Sequence, residues 1–520
     1  MTKSTEKTDV IIIGSGAAGS LMAAKLSAGG KKVIILEAGP ERRLSDLTSS
    51  QIHARRLKWS GEPVDETGTQ PVGNVFNSGF GTGGSALHHY AVWPRLHEED
   101  FRVKSRHGRA LDWPISYDDL RPYYDRIQQE AGISGDHTQE IWRPDGAAYP
   151  LPPVPLFAQG EVIAKGFSAL GKRTAPLPLA LNSRDYKGRD ACLWDGWCDA
   201  GCPIRALANP LALYLPAARK KGSRIIHNAM VTRILTDKKG TKATGVIYQN
   251  KEGAETRQMA DMVILAAFAI QTPRLLLASA EGGLANRSGL VGRYIMSHTA
   301  ALIYGLFAQE TDPHMGATGG QLVNQDSYDH KDRRTQGFGS YQWMIAQALK
   351  PDGLLGIGGS NPALFGAKLT EFMTRASRHF GTMTGCVEDL PRPENRVTLS
   401  STKDKSGLPR AVVHHNSDTE SVALWQGAKK QGIEIFTAAG ATSVWTGPPG
   451  PMHIMGGTIM GEDGDSSVTN SYGQCHDICN LFIAGPGLFP TSGGVNPTFT
   501  VHALTLRASD YILNHWSSLI

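Results

Sequence analysis

The chain has 520 residues, 40% of them apolar and 19% charged, with 59 glycines and a formal net charge of +5. That balance excludes a disordered chain, and scattered basic residues offer no stripe for nucleic acid. The longest clean apolar stretch, 262–270, falls well short of the ~20 residues a membrane-spanning helix needs.

Residues 1–9 are polar, and the apolar run after them is broken at once by Gly14, Ser15 and Gly16. The chain is therefore expected to carry no export signal of its own. Residues 10–13 read as a buried strand, 20–29 as a small-residue helix and 32–36 as a second strand ending at Glu37. Between the first two lies the G-x-G-x-x-G turn of Gly14, Gly16 and Gly19, with Glu37 18 positions beyond. The first glycine permits the turn, the second lets a pyrophosphate approach, and the third lets helix and strand pack. Glu37 is placed to accept hydrogen bonds from a ribose. The pattern serves NAD and FAD alike.

A second glycine-rich stretch, 79–85, leads into His88 and His89. Ser116 and Asp119 form a capping box, which predicts a helix over 117–132. A Pro-rich linker covers 149–155. Cys192, Cys198 and Cys202 cluster before a helix over 210–221. Strands are expected at 231–235, 244–248 and 262–265, followed by a helix over 271–278. Residues 300–445 are the least legible, with a long polar loop at 324–336. The pattern sharpens again into a strand at 480–484 and a closing helix at 499–514. No internal repeat appears.

Eight segments carry a resemblance: GSGAAG with LEAGP (14–19 and 36–40), GTGGSALHH (81–89), DWPISYDDLRPYYD (112–125), AFAIQTPRLLLAS (267–279), LPRPENRVTLS (390–400), HIMGGTIMG (453–461) and the block 480–513. Together they resemble the glucose-methanol-choline (GMC) family of FAD oxidoreductases, in family order along almost the whole chain. The resemblance implies an α/β fold. A discontinuous Rossmann-like FAD-binding domain would come from 1–110, 220–300 and 450–520. An α+β substrate domain with an antiparallel sheet would come from 111–180 and 301–449. FAD would contact Gly14, Gly16, Gly19, Glu37, Gly83, Gly84, Ser85, Val231, Ala267, Gly485, Pro497 and Thr498.

Alcohol oxidation needs a group that takes the hydroxyl proton while the carbinol hydride leaves, and a neutral histidine suits that task. The resemblance puts this histidine at His453 and a second, oxygen-holding group at Asn496; the alternative is two loop residues satisfying backbone groups. Gly456-Gly457-Thr458 holds one glycine more than the family pattern. His88 falls where several family members bond the flavin covalently, and plain packing is the other reading. His502 is assigned to the closing helix.

Cys192-x5-Cys198-x3-Cys202-Pro203 is absent from ordinary GMC oxidases and resembles the [3Fe–4S] segment of bacterial FAD-dependent sugar, polyol and aldonate dehydrogenases. An iron–sulfur segment at 181–219 is therefore implied. A zinc site completed by His227 or an aspartate, or a disulfide with one spare thiol, are the other readings. Cys475 and Cys479 are close enough to pair, and Cys386 has no partner. The resemblance implies a dehydrogenase for a sugar, sugar acid, polyol or glycoside, passing electrons through the cluster to a cytochrome c. Its partners would be a small export-signal-bearing subunit and a multihaem cytochrome c subunit. It would be periplasmic and membrane-associated through those partners, or cytoplasmic if it acts alone. A GMC-type oxidase with a structural metal site and a non-catalytic flavoprotein are the competing readings.

Overall fold

A computed structural model describes residues 3–4, 6–58, 60–73, 78–328, 332–333 and 337–520. Parts of the predicted loop 324–336 lie outside the described residues.

Two sheets divide the chain. In the first, Arg224–Ile226, Val33–Leu36, Thr8–Ile13 and Glu255–Leu265 run parallel in that spatial order. The long strand Glu255–Leu265 carries Ala243–Gln249 antiparallel along its first half and Leu481–Ile483 parallel along its second. Its early residues, ETRQMAD, begin with four polar residues in a half-exposed hairpin, where burial alternates but polarity does not. For that reason the apolar pattern predicts a strand only from 262. The runs VIII (10–13) and VIIL (33–36) are buried on both faces, as parallel strands covered by helices must be. Helix Ala17–Ala28 packs against Tyr214–Lys220 and Thr498–Asn514, and the latter packs against Tyr117–Ala131. Ser116 caps Tyr117–Ala131: its Oγ accepts from the Asp119 N–H (3.2 Å), while Asp119 Oδ2 accepts from the Ser116 N–H (2.8 Å).

The second sheet is antiparallel, in the order Ala441–Thr446, Met296–Phe307, Phe380–Val387, Tyr341–Ile345, Leu322–Asn324 and Ala175–Pro176. Gly450–Met455 also pairs with the first half of Met296–Phe307. This sheet occupies most of the stretch that the sequence left illegible. Its strands alternate with period two. Ala301, Ile303, Trp343, Ile345 and Met383 pack against Leu424, Trp425, Ala428, Ile435 and Phe436 of helix Thr419–Ala438. Ala300, Leu302, Tyr304, Met344, Thr382 and Thr384 face a cavity instead. Among the described residues no helix is long and apolar enough to cross a membrane.

Candidate active site

The carboxyl ends of the parallel strands and the inner face of the second sheet enclose one cavity of about 990 Å³. Ile13, Leu36, Ala266 and Ala484, at or just past the ends of four parallel strands, line it, where open α/β sheets bind ligands. Gly14 has φ +101°, and a Cβ on Gly19 would strike the Gly14 carbonyl oxygen at 2.0 Å. These two glycines serve the protein's own packing. Gly16 differs: its φ of −71° suits any residue, and a Cβ there would meet nothing nearer than Gly83 O at 3.9 Å. The chain leaves open a space that only a ligand needs.

Ser85, Val231, Ala267, Gly485, Pro497 and Thr498 line the cavity with Gly14, Gly16 and Gly84, whereas Gly19 and Gly83 do not. Glu37 is buried and already engaged. Its two oxygens accept from the Ser15 N–H (3.0 Å) and Oγ (2.5 Å), the Gly39 N–H (2.9 Å) and the Gly81 N–H (3.1 Å). The carboxylate thus ties the two glycine-rich loops together, and a ribose hydroxyl must share an oxygen with these donors.

The adjacent histidines separate cleanly. His89 Nε2 donates to Ala208 O (2.8 Å) and its Nδ1 accepts from the Ala91 N–H (3.1 Å), so both nitrogens serve the backbone. His88 also lines the cavity, but its buried Nε2 has no hydrogen-bond partner. Burial, reinforced by the Lys58 charge, pushes its pKa down to about 3. Lys58 forms a buried ion pair with Asp199 (2.5 Å) and donates to Tyr90 OH (3.0 Å). Burial opposes its charge, but Tyr90 and Asp199 outweigh burial and hold the ammonium protonated.

His453 and Asn496 are in direct contact, Asn496 Nδ2 to His453 Nε2 at 3.1 Å. The other side of His453 meets a residue that the motifs missed. His298 lies in strand Met296–Phe307 where the register with Gly450–Met455 shifts, between Ser297 and Thr299. Such an irregularity re-aims a side chain, and His298 Nδ1 faces His453 Nδ1 at 3.0 Å. The hydrogen-bond network assigns every proton here. The Gly493 carbonyl accepts from His298 Nε2–H (2.8 Å), so His298 Nδ1 is an acceptor and His453 Nδ1 must donate to it. His453 Nε2 is then the bare nitrogen. Asn496 Oδ1 accepts from Gln342 Nε2 (2.9 Å), and Gln342 Oε1 from Gln325 Nε2 (3.0 Å). Burial, with His298 adding to it, holds the His453 pKa well below the ordinary histidine value, and burial pushes His298 down to about 4. Both rings are neutral near pH 7.

Behind this pair, His415 donates through Nε2 to Asp389 Oδ2 and through Nδ1 to Gln70 O, each at 2.8 Å. Two acceptors demand two N–H groups, so His415 is an imidazolium. Asp389 Oδ2 also accepts from the Ser297 N–H, and Ser492 Oγ donates to Asp389 O. The ion pair holds the backbone next to His298 at Ser297, while the Asp389 backbone holds Ser492 beside Gly493. His502 donates to Thr498 O within the closing helix and packs on Trp93, away from the His453 network.

Cys198 is buried and Cys192 and Cys202 half-buried, all three unpaired. Backbone N–H groups point at two of the sulfurs, Trp194 to Cys192 (3.4 Å) and Leu207 to Cys202 (3.3 Å). Trp194, Cys202 and Arg205 hold left-handed φ values of +58°, +55° and +63°, a costly backbone for such residues. Burial pushes the Cys192 and Cys198 thiols up to about 12. Among the described residues, no group of three His, Cys, Asp or Glu ligand atoms lying mutually within 4.8 Å includes a triad cysteine. His227 lies by Glu41 and Arg219 instead. Gly196 and Asp199, either side of Cys198, line the same cavity as His453. Cys475 is buried and Cys479 exposed, both free.

Sequence profiles for GMC oxidoreductases match residues 8–300 and 391–505. The chain belongs to the GMC oxidoreductase family. Its relatives include the 2-methyl-1,2-propanediol dehydrogenase of Mycolicibacterium austroafricanum, 34% identical over 100% of this chain and 98% of that protein. The fructose dehydrogenase large subunit of Gluconobacter japonicus is 31% identical over 99% of each. A formate oxidase crystal structure superposes with a TM-score of 0.73 at 16% identity, covering 100% of both chains. This GMC oxidoreductase is an FAD enzyme acting on CH–OH groups. The open space before Gly16 and the orphaned His88 Nε2 fit that cofactor.

The motifs overlooked His298, Gln325, Gln342 and Cys386. Cys386, thought to lack a partner, places Sγ 3.4 Å from His298 Nδ1. The one available hint was polar residues inside buried strands: His298, Gln342 and Cys386 are all fully buried. The extra glycine is also explained, because Gly456 and Gly457 have φ of +79° and +90°, and a Cβ on Gly456 would strike Tyr294 O at 1.9 Å.

Proposed function

We propose that this GMC oxidoreductase is a dehydrogenase for an alcohol group of a sugar, sugar acid, polyol or glycoside. His453 Nε2 takes the hydroxyl proton, and Asn496 Nδ2 turns from His453 to donate to the same oxygen. The single observation carrying this reading is the network that leaves His453 Nε2 bare, neutral and beside an amide donor at the cavity wall. His298 accepts from His453 Nδ1–H and so fixes the tautomer that leaves Nε2 bare. Bound FAD supplies the hydride acceptor, held by the loops around Gly14, Gly16 and Gly84, with His88 as the site of a covalent link. Thr382, Thr384, Gln347 and Tyr304 give the sheet face hydroxyl and amide groups suited to a polyhydroxylated substrate.

Cys192, Cys198 and Cys202 would hold a [3Fe–4S] cluster, whose chemistry is single-electron transfer to a cytochrome c partner. Three free cysteines within one short segment, with backbone N–H groups aimed at two of the sulfurs, suit the ligation of such a cluster. On this reading the chain works in the periplasm with a small export-signal-bearing subunit and a membrane-anchored multihaem cytochrome c. Metal and sulfide analysis tests it: about three iron and four sulfide per chain are expected. A folded Cys198→Ser variant should lose iron, still bleach its flavin with substrate, and stall with cytochrome. Zinc instead of iron, or peroxide formation at the full turnover rate, would return the enzyme to the oxidase reading.

A further inference from the structure

We propose that His298, Cys386 and His453 form a binding site for a borderline divalent metal, zinc foremost, and that a metal seated there switches the enzyme off.

The three donors already stand close to a zinc geometry. His298 Nδ1 and His453 Nδ1 are 3.0 Å apart, Cys386 Sγ is 3.4 Å from His298 Nδ1, and all three atoms lie within 4.8 Å of one another. Tetrahedral zinc with bonds of about 2.0–2.1 Å to nitrogen and about 2.3 Å to sulfur sets edges of about 3.3 Å between nitrogens and about 3.6 Å from nitrogen to sulfur. The first two edges need to open by only a few tenths of an ångström, and the third starts from within 4.8 Å. The sheet explains the placement. Cys386 pairs with Ala300 on one neighbouring strand and with Gln342 on the other, and the register shift at His298 brings its ring to the same point.

A second observation is independent of those distances. His298 donates Nε2–H to Gly493 O, which fixes its tautomer with the Nδ1 lone pair facing Cys386 and His453. Metal-binding histidines are held in this way by a carbonyl on the far nitrogen. Two imidazoles and a thiolate select zinc and its neighbours over magnesium or calcium. No fourth His, Cys, Asp or Glu atom joins them among the described residues, so water completes the shell. His453 lines the cavity, which supplies the route in.

Inhibition follows from proton balance and rests on the role proposed for His453. Zinc takes the Cys386 sulfur as thiolate, releasing one proton to solvent. Coordination through His453 Nδ1 moves that ring's proton to Nε2, with no net loss. His453 Nε2 then carries a hydrogen and cannot accept one from an alcohol. Asn496, Gln342 and Gln325 can reverse their amides in concert to accept it, because the chain ends on a Gln325 Oε1 without a partner.

The test uses holoenzyme equilibrated with buffered zinc and then desalted. Wild type should retain one more zinc per chain than Cys386→Ala, with Cys386→Ser as the second variant if alanine fails to fold. Any zinc at Cys192, Cys198 or Cys202 is common to both and cancels. Zinc should slow anaerobic flavin reduction by at least about 100-fold in wild type, reversibly with a chelator, as loss of a general base does. Zinc-free Cys386→Ala should reduce its flavin at the wild-type rate and resist zinc. Equal zinc contents, or equal zinc inhibition of the two proteins, overturn the site. The zinc count needs no substrate. A failed functional reading shows separately, as zinc-free wild type that no alcohol bleaches.

Discussion

The two ends of the cavity are built by opposite means. The dinucleotide end consists of backbone: loops 14–19, 37–39 and 79–84, gathered around one buried carboxylate, Glu37. The proposed catalytic end consists of side chains, Gln325, Gln342, His298, His453 and Asn496, which the second sheet, the segment after Leu322–Asn324 and the loop before Thr498–Asn514 bring together. A backbone site tolerates no bulk at the one position facing the ligand. A side-chain site degrades step by step as links of its chain are cut.

The sharpest break expected is at Gly16. Gly16→Val suits the local φ and its Cβ comes no nearer than 3.9 Å to a protein atom, so the chain should fold, melting like FAD-stripped wild type, yet purify without FAD. A variant that retains stoichiometric flavin would show that the space before Gly16 is not the pyrophosphate site.

At the other end, His453→Ala should keep FAD and slow anaerobic flavin reduction by about two to four orders of magnitude. In wild type that rate should not decline as pH falls through the usual histidine value of about 6.5. Burial keeps His453 unprotonated well below it. Stopped-flow reduction across the pH range reads both.

A smaller effect belongs to the tautomer. His298→Leu removes the acceptor for His453 Nδ1–H and one of the two influences depressing the His453 pKa. A loss of about tenfold in flavin reduction is expected, one hydrogen bond's worth, and the acid limb of the pH profile should move upward. An unshifted profile would mean that His298 only packs.

The mildest effect concerns stability. Although burial lowers the His415 pKa, the bonds to Asp389 and Gln70 outweigh it and the net shift is upward. Its contribution to folding is complete below the unfolded value near 6.5 and fades as pH rises through the raised folded value. The melting-temperature gap between wild type and His415→Gln should therefore be wider at about pH 6 than at about pH 9. A gap independent of pH would assign His415 no charge.

Much of the molecule was legible because its signals are local. The capping box at Ser116 and Asp119, the GSGAAG turn and the fully apolar strands each depend on a few consecutive residues, and φ constraints or burial on both faces dictate their type. The strand Glu255–Leu265 was legible only where both faces are covered; its half-exposed start, ETRQ, is polar throughout and carries no strand pattern. Gln325, assigned to a polar loop, is buried and bonded to Gln342.

The sequence by itself determined the family, the dinucleotide loop and the identities of His453 and Asn496 as a pair, since each rides on a contiguous motif. Tertiary structure decided which ring nitrogen of His453 is bare, that His88 rather than His89 offers a free nitrogen, and that His298 and Cys386 share its neighbourhood. Those outcomes depend on strand register and on a single carbonyl, Gly493 O, accepting a hydrogen bond from a strand 195 residues earlier in the chain. Register between distant strands is set by burial and pairing across the whole sheet, and no local pattern of residues records it.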